Sequence, residues 1–257
     1  MKRDARRQEI MDMLVQNGSV DLDALTAHFG VSRMTIHRDL DDLEQAGLLR
    51  KVRGGATIEP GTQFESDFRF RERQGGEAKR LMARAALTLI EPGSSVIVND
   101  GSMAAVLGAM LVEKRPLSVI TNNFAVMEAL KGERGITLIG LGGSYSAKYN
   151  GFFGIATEES LARLRVDIAF ISSPAVAGVM SYHMDDTVVR AKRAMMRAAG
   201  RSVLLVGHQR FGHAALHAMA GLEEFDAIVT DADPGCEALR EAREAGIGVT
   251  IARDLIE

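Results

Sequence analysis

Two groups of residues in this 257-residue chain have types and spacings suited to binding chemistry. The first group is cationic and close together in sequence: Arg33 and Arg38, followed by Arg50, Lys51 and Arg53. Guanidinium and ammonium groups donate hydrogen bonds to phosphate oxygens, and arginine also reads paired acceptors on base edges. The second group consists of glycines and small polar residues at the ends of predicted strands, where sugars and anions bind in α/β sheets.

The cationic group begins on a helix predicted within Val31–Leu49. Ser32 is a suitable N-cap because its hydroxyl can accept a hydrogen bond from a free helical amide. Ile36, Leu40 and Leu43 have the i, i+4, i+7 spacing of an apolar face that packs inward. The opposite face of this helix is polar and cationic, and is therefore predicted to face a partner or solvent.

A shorter predicted helix, Leu22–Phe29, precedes this one, with Asp21 as its cap and Gly30 in the tight turn that follows. Two β-prone runs, Leu48–Val52 and Ala56–Ile58, lie on either side of a Gly-Gly turn. Two helices followed by a basic hairpin are typical of a winged helix-turn-helix, whose second helix enters the major groove. An ordinary helical hairpin with a solvated cationic surface is the alternative, and the basic hairpin makes it the less favoured one.

The predicted partner is double-stranded operator DNA, with the helix at the base edges and the hairpin on backbone phosphates. The candidate DNA-binding residues are Ser32, Arg33, Met34, Thr35, His37, Arg38, Arg50, Lys51, Arg53 and Gly54. Residues 1–58 contain nine Lys+Arg and nine Asp+Glu, and the whole chain has a net charge of −3. Four acids are expected toward the far end of the second helix: Asp39, Asp41, Asp42 and Glu44. Tight binding is therefore expected to need two or more subunits on one DNA.

The same stretch resembles the DeoR family of bacterial transcriptional regulators. The residues that carry the resemblance are Val31-Ser32, Thr35-Ile36, Arg38-Asp39-Leu40, Leu43-Glu44, Gly47 and Gly54-Gly55-Ala56. The family usually has arginine at the position of His37 and histidine at the position of Arg53. Both positions remain polar here, so these departures concern the operator sequence more than the ability to bind DNA.

Composition restricts the class of protein. A single cysteine, Cys236, excludes an intramolecular disulfide and is interpreted as a structural or incidental thiol, not a reactive one. The N-terminal sequence has no apolar leader and no apolar run reaches the length of a bilayer span, so we predict a cytoplasmic protein with no membrane partner. At this length the chain can bury a second, larger core beyond the winged helix.

The rest of the chain predicts a linker and an α/β domain. Residues 59–76 contain charged residues between Pro60-Gly61 and Gly75-Gly76, which is typical of a linker. A helix is predicted at Glu77–Ile90, and from Ser94 onward β-branched runs alternate with helical segments, which predicts a mostly parallel sheet covered on both faces. The predicted domains are 1–58 for DNA binding, 59–76 as the linker, and 77–257 for effector sensing and oligomerisation.

Three predicted strand ends carry the second group of residues. Asp100-Gly101-Ser102 follows the first strand of the larger domain, Thr121-Asn122 the second, and Gly142-Gly143 the third. Carboxyl ends of parallel strands meet at one edge of a sheet, and helix N-termini there favour anions. The pattern favours a pocket for a small polyol with an anionic end. Its alternative is a set of ordinary strand-to-helix turns, which are built from the same residue types.

The family resemblance extends over this part of the chain. It implies a sensor domain similar to ribose-5-phosphate isomerase and a phosphorylated sugar or polyol as effector. The candidate effector-binding residues are Asp100, Gly101, Ser102, Thr121, Asn122, Gly142, Gly143, Lys192 and Arg210. The family pattern differs at Met103, where a hydroxyl residue is usual, and at Gly207–Phe211, where Asp-x-Ser/Thr-Lys-Phe is usual. Whether the effector is phosphorylated therefore stays open.

The predicted function is a sequence-specific DNA-binding transcriptional regulator. We expect it to repress a sugar or polyol catabolic operon and to leave its operator when a (phospho)sugar effector binds. A homodimer or homotetramer, no cofactor and no metal site are expected, and His208, His213 and His217 are interpreted as surface or pocket histidines. The alternative is a sugar-phosphate isomerase-like enzyme with an appended DNA-binding domain. It is less favoured because isomerisation needs a carboxylate base and the loop Ser172–Gly178 contains no acid. Asp100 and Asp185/Asp186 remain candidate bases but have no paired partner in sequence, so no catalytic residue is assigned.

Overall fold

The computed structural model describes residues 3–58 and 67–255. The chain forms two compact units, Met1–Gln74 and Gly75–Glu257. The boundary between the units falls within the predicted linker 59–76. Residues 59–66 of that linker, including Pro60-Gly61, lie outside the described residues.

The first unit is a winged helix-turn-helix with a small antiparallel sheet. Its elements are α1 Arg3–Asn17, β1 Ser19–Asp21, α2 Leu22–Phe29, α3 Arg33–Gln45, β2 Arg50–Val52, β3 Gly55–Thr57 and α4 Phe68–Arg73. The strands pair in the order β1-β3-β2. The predicted helix-turn-helix and basic hairpin are confirmed, and β1 is an additional strand that the sequence patterns did not indicate.

Local sequence signals determine where the two helices of the helix-turn-helix begin and end. Asp21 caps α2 by accepting a hydrogen bond from the Asp23 amide at 2.8 Å. The helix ends at Gly30, whose φ of +62° is in the left-handed region that favours glycine. Ser32 caps α3 by accepting from the Thr35 amide at 3.2 Å. Both predicted caps are confirmed.

The core of the first unit forms where the apolar faces of its helices meet. Its most buried members include Ile10, Leu14, Leu25, Ile36 and Leu40. Helix α4, in the second half of the predicted linker, adds Phe70 to the same core. Within that segment, Phe68–Arg73 is therefore a packed helix of the first unit, whereas Gly76 begins α5 of the second unit.

The second unit contains strands β4 to β15 and helices α5 to α10. The strands are β4 Ser95–Val98, β5 Leu117–Thr121, β6 Ile136–Gly140, β7 Ser144–Ser146, β8 Gly151–Phe153, β9 Val166–Ser172, β10 Ala175–Ala177, β11 Met180–His183, β12 Ala199–Leu205, β13 His217–Gly221, β14 Ala227–Thr230 and β15 Gly248–Ile251. The helices are α5 Gly76–Leu87, α6 Ser102–Met110, α7 Phe124–Leu130, α8 Ile155–Ala162, α9 Asp186–Ala198 and α10 Glu237–Glu244. Short 3-10 helices occur at Leu111–Lys114, His208–Arg210, Leu222–Glu224 and Ala252–Leu255.

Seven of these strands form one parallel sheet in the order β15-β14-β12-β9-β4-β5-β6. Both of its faces are buried, because alternate residues of one strand pack into different cores. In β4, for example, Ile97 belongs to one core, whereas Val96 and Val98 belong to the other. This arrangement accounts for the continuous β-branched runs and confirms the predicted mostly parallel α/β domain.

Two small antiparallel sheets lie outside the central sheet: β10-β11-β13 and the hairpin β7-β8. The sequence patterns did not indicate the β7-β8 hairpin. Its strands have three residues each, which is too short for a period-2 pattern to be recognised.

Candidate functional site

The outer face of α3 and the hairpin after it carry the predicted DNA-binding residues. We call this surface the recognition face; it comprises Ser32, Arg33, Met34, Thr35, His37, Arg38, Arg50, Lys51, Arg53 and Gly54. Thr35, His37 and Lys51 are partly exposed and the other members are exposed. On the opposite face of α3, Ile36 and Leu40 are buried. The structure thus brings all the predicted residues to the surface of the first unit.

Met34 and Arg38 are exposed members of the recognition face whose side chains suit contact with base edges. Met34 is 62% exposed, which is high for a large apolar side chain and suits contact with a thymine methyl group. Arg38 is also exposed, and no ion pair of Arg38 occurs among the residues that the structure describes. Its guanidinium is therefore available to bind a guanine edge or a phosphate.

Two other cations of the recognition face are paired with carboxylates of the same unit. Arg33 Nη2 lies 2.7 Å from Asp23 Oδ1, and Lys51 Nζ pairs with Asp41 Oδ1. The Lys51 amide also donates to Glu44 Oε1 at 2.7 Å. Exposed ion pairs contribute at most about 1 kcal/mol each, so a phosphate can displace either carboxylate from its cation.

The acids of α3, which were predicted toward the far end of this helix, differ in burial and in their partners. Asp39 is 1% exposed and accepts hydrogen bonds from Arg6 Nε at 2.5 Å and Arg7 Nε at 3.2 Å. Asp42 pairs with Arg3 and with Arg7. These contacts hold α3 against α1 behind the recognition face. The guanidinium groups of α1 balance the negative charge of Asp39.

A second concentration of polar groups lies at the carboxyl ends of β4, β5 and β9. We call it the strand-end cluster; its members are Asn99, Asp100, Asn122, Asn123, Ser172 and Lys192. Ser172 is partly buried, and every other member is at most 2% exposed. Asp100, Asn122 and Lys192 were predicted, whereas Asn99, Asn123 and Ser172 were not assigned a site role from the sequence.

Lys192, on α9, is the cation of the strand-end cluster. Its Nζ donates to the Ser172 carbonyl oxygen at 2.9 Å and lies 3.8 Å from Asp100 Oδ1. Asn99 donates from Nδ2 to the same Asp100 oxygen at 3.3 Å and accepts from the Ser172 amide at 3.1 Å. Burying a carboxylate and an ammonium group carries a large desolvation cost, and such a pair is often no more stabilising than apolar residues. Its presence therefore points to a role other than stability.

Asn123 and Thr121 join the ends of β4 and β5. Asn123 Nδ2 donates to the carbonyl oxygens of Asn99 at 3.1 Å and Gly101 at 3.0 Å. Thr121 Oγ1 donates to the Val98 carbonyl at 2.6 Å and accepts from the Asn123 amide at 3.0 Å. The Thr121 hydroxyl, a predicted effector contact, is thus engaged in holding the two strand ends in position.

Asn122 has one polar atom that the protein leaves unsatisfied. Its Nδ2 donates to the Phe152 carbonyl at 3.0 Å, and its own carbonyl accepts from the Phe152 amide at 2.9 Å. Its Oδ1 is buried and has no hydrogen-bond partner among the described residues. Leaving such an acceptor unpaired costs about 1–3 kcal/mol, which a hydroxyl donor from a ligand would offset.

The remaining predicted effector residues lie around this cluster. Helix α6 begins at Ser102, which is 6% exposed and directly follows Gly101. Gly142 and Gly143 follow the edge strand β6; the Gly142 carbonyl accepts from Thr157 Oγ1 at 2.6 Å. Arg210 lies in the 3-10 helix after β12, and β9 separates β12 from β4.

Two family models match this chain. The DeoR-like helix-turn-helix domain matches residues 6–60, and the DeoR C-terminal sensor domain matches residues 74–232. The chain belongs to the DeoR family. It is a DNA-binding transcriptional regulator, as the recognition helix and basic hairpin predicted.

This DeoR-family protein is similar to curated regulators over most of its length. It is 29% identical over 238 residues to the glycerol-3-phosphate regulon repressor of Escherichia coli (strain K12), covering 91% of this chain and 93% of that protein. It is 31% identical over 227 residues to the L-fucose operon activator of Haemophilus influenzae, covering 88% and 91%. Among solved structures, a D-ribose-5-phosphate isomerase in complex with phospho-erythronic acid is similar with a TM-score of 0.40 and 15% identity, covering 53% of this chain and 54% of that one.

The DeoR-family chain has a further polar pair at the ends of β12 and β14. His208 Nδ1 lies 2.7 Å from Asp231 Oδ2, and the His208 amide donates to Asp231 Oδ1 at 2.7 Å. Asp231 is buried and His208 is about one-third exposed. His208 shares its 3-10 helix with Arg210, so two basic side chains follow β12. The sequence could not show the pairing because 23 residues separate the partners.

Two general features of the described part of this DeoR-family chain concern metals and membranes. Within residues 3–58 and 67–255, no three His, Cys, Asp or Glu side chains are grouped so that they could hold a metal ion. No helix in those residues combines the length and apolar character needed to cross a bilayer. Cys236, at the N-cap of α10, is a free, partly buried thiol.

Proposed function

We propose that this DeoR-family regulator represses a sugar or polyol catabolic operon and that a small polyhydroxylated effector, phosphorylated or not, releases the operator. The strand-end cluster carries this proposal. It places a buried Asp100–Lys192 pair and the unsatisfied Asn122 Oδ1 at the carboxyl ends of parallel strands, where α/β sheets bind ligands. The names of the relatives, a glycerol-3-phosphate regulon repressor and an L-fucose operon activator, support the chemical class.

The recognition face binds the operator in this proposal. Helix α3 enters the major groove, where Arg38 and Met34 meet base edges. Arg50 and Arg53 hold backbone phosphates beside it. Lys51 joins them once a phosphate replaces Asp41 as its partner.

The effector binds at the strand-end cluster. Asp100 and Asn122 Oδ1 accept hydrogen bonds from effector hydroxyls, and the amides at the start of α6, near Ser102, favour an anionic group. Lys192 or Arg210 serves as the cationic anchor. A hydroxyl is the suited partner for Asn122 Oδ1 because it supplies the donor that this atom lacks.

The division of labour follows the proposed domains: residues 1–58 bind DNA, 59–76 link, and 77–257 sense the effector and oligomerise. One chain supplies one recognition helix, so a homodimer or homotetramer on repeated half-sites supplies the affinity that an operator requires. An effector weakens DNA binding only if it binds the DNA-incompetent arrangement more tightly, and DNA must weaken effector binding by the same factor.

The DNA proposal is tested with Arg38→Ala and with Gln45→Ala, an exposed change at the far end of the same helix. We expect Arg38→Ala to weaken operator binding by about 1–3 kcal/mol, whereas Gln45→Ala binds like the wild type. Lys51→Ala is expected to weaken binding to all DNA sequences by a similar factor and to reduce the salt dependence of the binding affinity. Wild-type affinity in both Arg38→Ala and Lys51→Ala would contradict the proposed surface.

The effector proposal is tested in two steps. A thermal-shift panel of sugar phosphates, free sugars and polyols first identifies a ligand, because binding to the native state raises Tm. That ligand is then titrated against operator complexes of Asp100→Asn and of Asp167→Asn, which changes an exposed carboxyl at the start of β9. A lost charge-assisted contact is worth about 1.5–3 kcal/mol, so the Asp100→Asn midpoint should rise at least tenfold.

The same titration decides the direction of the switch. Operator affinity without ligand should stay close to wild type in both variants, and only Asp100→Asn should respond poorly. An unchanged midpoint in Asp100→Asn would contradict the effector site. A ligand that strengthens operator binding would contradict release of the operator by the effector.

A further inference from the structure

The β7-β8 hairpin, Ser144–Phe153, covers the strand-end cluster. A Cβ atom added at Gly151 would lie 3.0 Å from the Asn122 carbonyl oxygen and 3.5 Å from Asp100 Cβ. The backbone of β8 therefore lies directly against two of the proposed effector contacts. Asp100 and Asn122 are almost completely buried while the hairpin occupies this position. The hairpin therefore helps to shield both side chains from a ligand.

Backbone groups of this hairpin are hydrogen-bonded to the residues that follow β5. The Phe152 amide donates to the Asn122 carbonyl, and Asn122 Nδ2 donates back to the Phe152 carbonyl. The Phe124 amide donates to the Asn150 carbonyl at 2.9 Å. The hairpin forms a two-stranded sheet of its own, and such a sheet is at best marginally stable without packing.

Aromatic side chains supply that packing on two sides. Outside, the rings of Phe124, Tyr145 and Phe152 form a cluster with centroids 5.5–6.2 Å apart, and Tyr145 is 52% exposed. Inside, Tyr149 and Phe153 pack on α9. The outer cluster faces solvent, so removing one of its rings loosens the hairpin without opening a cavity in the main core.

Glycines with positive φ flank the hairpin at both ends. Gly143 has φ of +131° and Gly154 has φ of +99°. Both angles are in the region that other residues rarely adopt, so the chain can reverse direction sharply at these two points. Hinges of moving segments lie at such loop positions, where a few residues absorb the change in backbone dihedrals.

We propose that Ser144–Phe153 is a lid that swings about Gly143 and Gly154 and competes with the effector for Asn122. When the lid lifts, the Asn122 carbonyl and Nδ2 lose Phe152 as their partner. Effector hydroxyls, which both donate and accept, replace those hydrogen bonds and also reach Asn122 Oδ1. The inference rests on the proposed function, because it takes the strand-end cluster as the effector site.

Amide hydrogen exchange of the full-length protein, with neither effector nor DNA present, tests whether the lid opens. We expect the Phe124 and Phe152 amides, which bridge the lid and the β5-α7 turn, to exchange at a common rate. That rate should be faster than the rates of Ile97 and Phe170 in the central strands, because local opening does not require unfolding of the sheet. Equal rates at all four amides would overturn the lid.

Phe124→Ala tests whether the outer aromatic cluster holds the lid closed. The matched control is Leu216→Ala, which removes an apolar side chain that is 63% exposed and outside the hairpin. We expect Phe124→Ala to speed exchange at Phe152 by roughly threefold or more while leaving Ile97 unchanged. Leu216→Ala should change neither amide. No change at Phe152, or an equal change at Phe152 and Ile97, would overturn the role of the cluster.

These measurements separate the lid from the repressor proposal. Exchange is measured without ligand, so a lid that never opens refutes this inference and leaves operator release by an effector untouched. If Asp100→Asn leaves the midpoint of the effector titration unchanged, the effector site is refuted even when the hairpin opens freely.

Discussion

The recognition face and the strand-end cluster are both polar and contain charged groups, yet one is open to solvent and the other is buried. The side chain of Arg33 is 62% exposed, whereas those of Asp100 and Lys192 are each 2% exposed. The difference matches the proposed partners. DNA is a large polyanion that meets a preformed surface, and much of its affinity comes from release of counterions. A small effector offers few atoms, so its binding depends on burial and on a few well-placed polar groups.

The ion pairs of the two regions differ for the same reason. Lys51 and Asp41 remain in contact with water, so their pair can be exchanged for a phosphate at little cost. Asp100 and Lys192 are buried away from bulk solvent, so each depends on the other to balance its charge. Asp39 belongs to the second kind although it lies on the recognition helix. Burial, more than position on a helix or strand, therefore decides what each charge can do.

The largest expected effect concerns Asp39. Asp39→Ala leaves the Arg6 guanidinium buried without its carboxylate, which should destabilise the first unit by about 3–5 kcal/mol. Asp41→Ala, on the same helix but at an exposed pair, should cost less than about 1 kcal/mol. Chemical denaturation, monitored by amide exchange at Leu14 and Leu40, measures the loss of stability in both variants. Equal losses in the two variants would break the distinction between buried and exposed pairs.

The next effect concerns the buried pair of the strand-end cluster. A double-mutant cycle of Asp100→Asn and Lys192→Met should give a coupling energy of about 0.5–3 kcal/mol, because each single change leaves one charge unpaired. Urea denaturation of the four proteins provides the measurement. If the two losses in free energy of unfolding are strictly additive, the two groups are solvated independently. The buried pair would then not differ from the exposed pairs of the recognition face.

A smaller effect is expected at the recognition face itself. Asp41→Asn releases Lys51 from its ion pair, so affinity for any DNA sequence should rise, by up to about fivefold for a pair worth 0.2–1 kcal/mol. The gain should shrink at high salt. Asp12→Asn, which changes an acid paired with Arg69 away from this face, is the control. Fluorescence anisotropy with operator and random DNA would measure the affinity of both variants. Unchanged or lower affinity in Asp41→Asn would contradict the replacement of Asp41 by a phosphate as the partner of Lys51.

The smallest effect concerns Asp167, an exposed carboxylate at the start of β9. Hydrogen bonds from the Ser95 hydroxyl and amide lower the pKa of Asp167. A lowered folded-state pKa adds stability above the pKa of the unfolded chain, and that stability is lost as the pH falls below about 4. Asp167→Asn should therefore be slightly less stable than the wild type at neutral pH, with the difference shrinking in acid. A difference in Tm that stays constant from pH 7 to strongly acidic pH would contradict this assignment.

The sequence by itself was sufficient wherever a signal was local. The caps Asp21 and Ser32 and helix Leu22–Phe29 lie where the patterns predicted them. Caps, turns and apolar periodicity act over a few residues, so their geometry is written in short stretches of chain. The alternation of strands and helices also predicted the parallel sheet, because each strand must be buried on both faces.

Only the tertiary structure decided which polar groups meet and which of them water reaches. Asp39 turns inward because α1 brings Arg6 to it across 33 residues of sequence. Asn99 meets Ser172 across 73 residues, and Lys192 meets Asp100 only because α9 packs at the ends of β4 and β9. The hairpin over this cluster is equally invisible to local patterns, since its short strands depend on Asn122 and on aromatic packing. Burial and pairing of charges depend on the whole fold, and no short stretch of sequence contains that information.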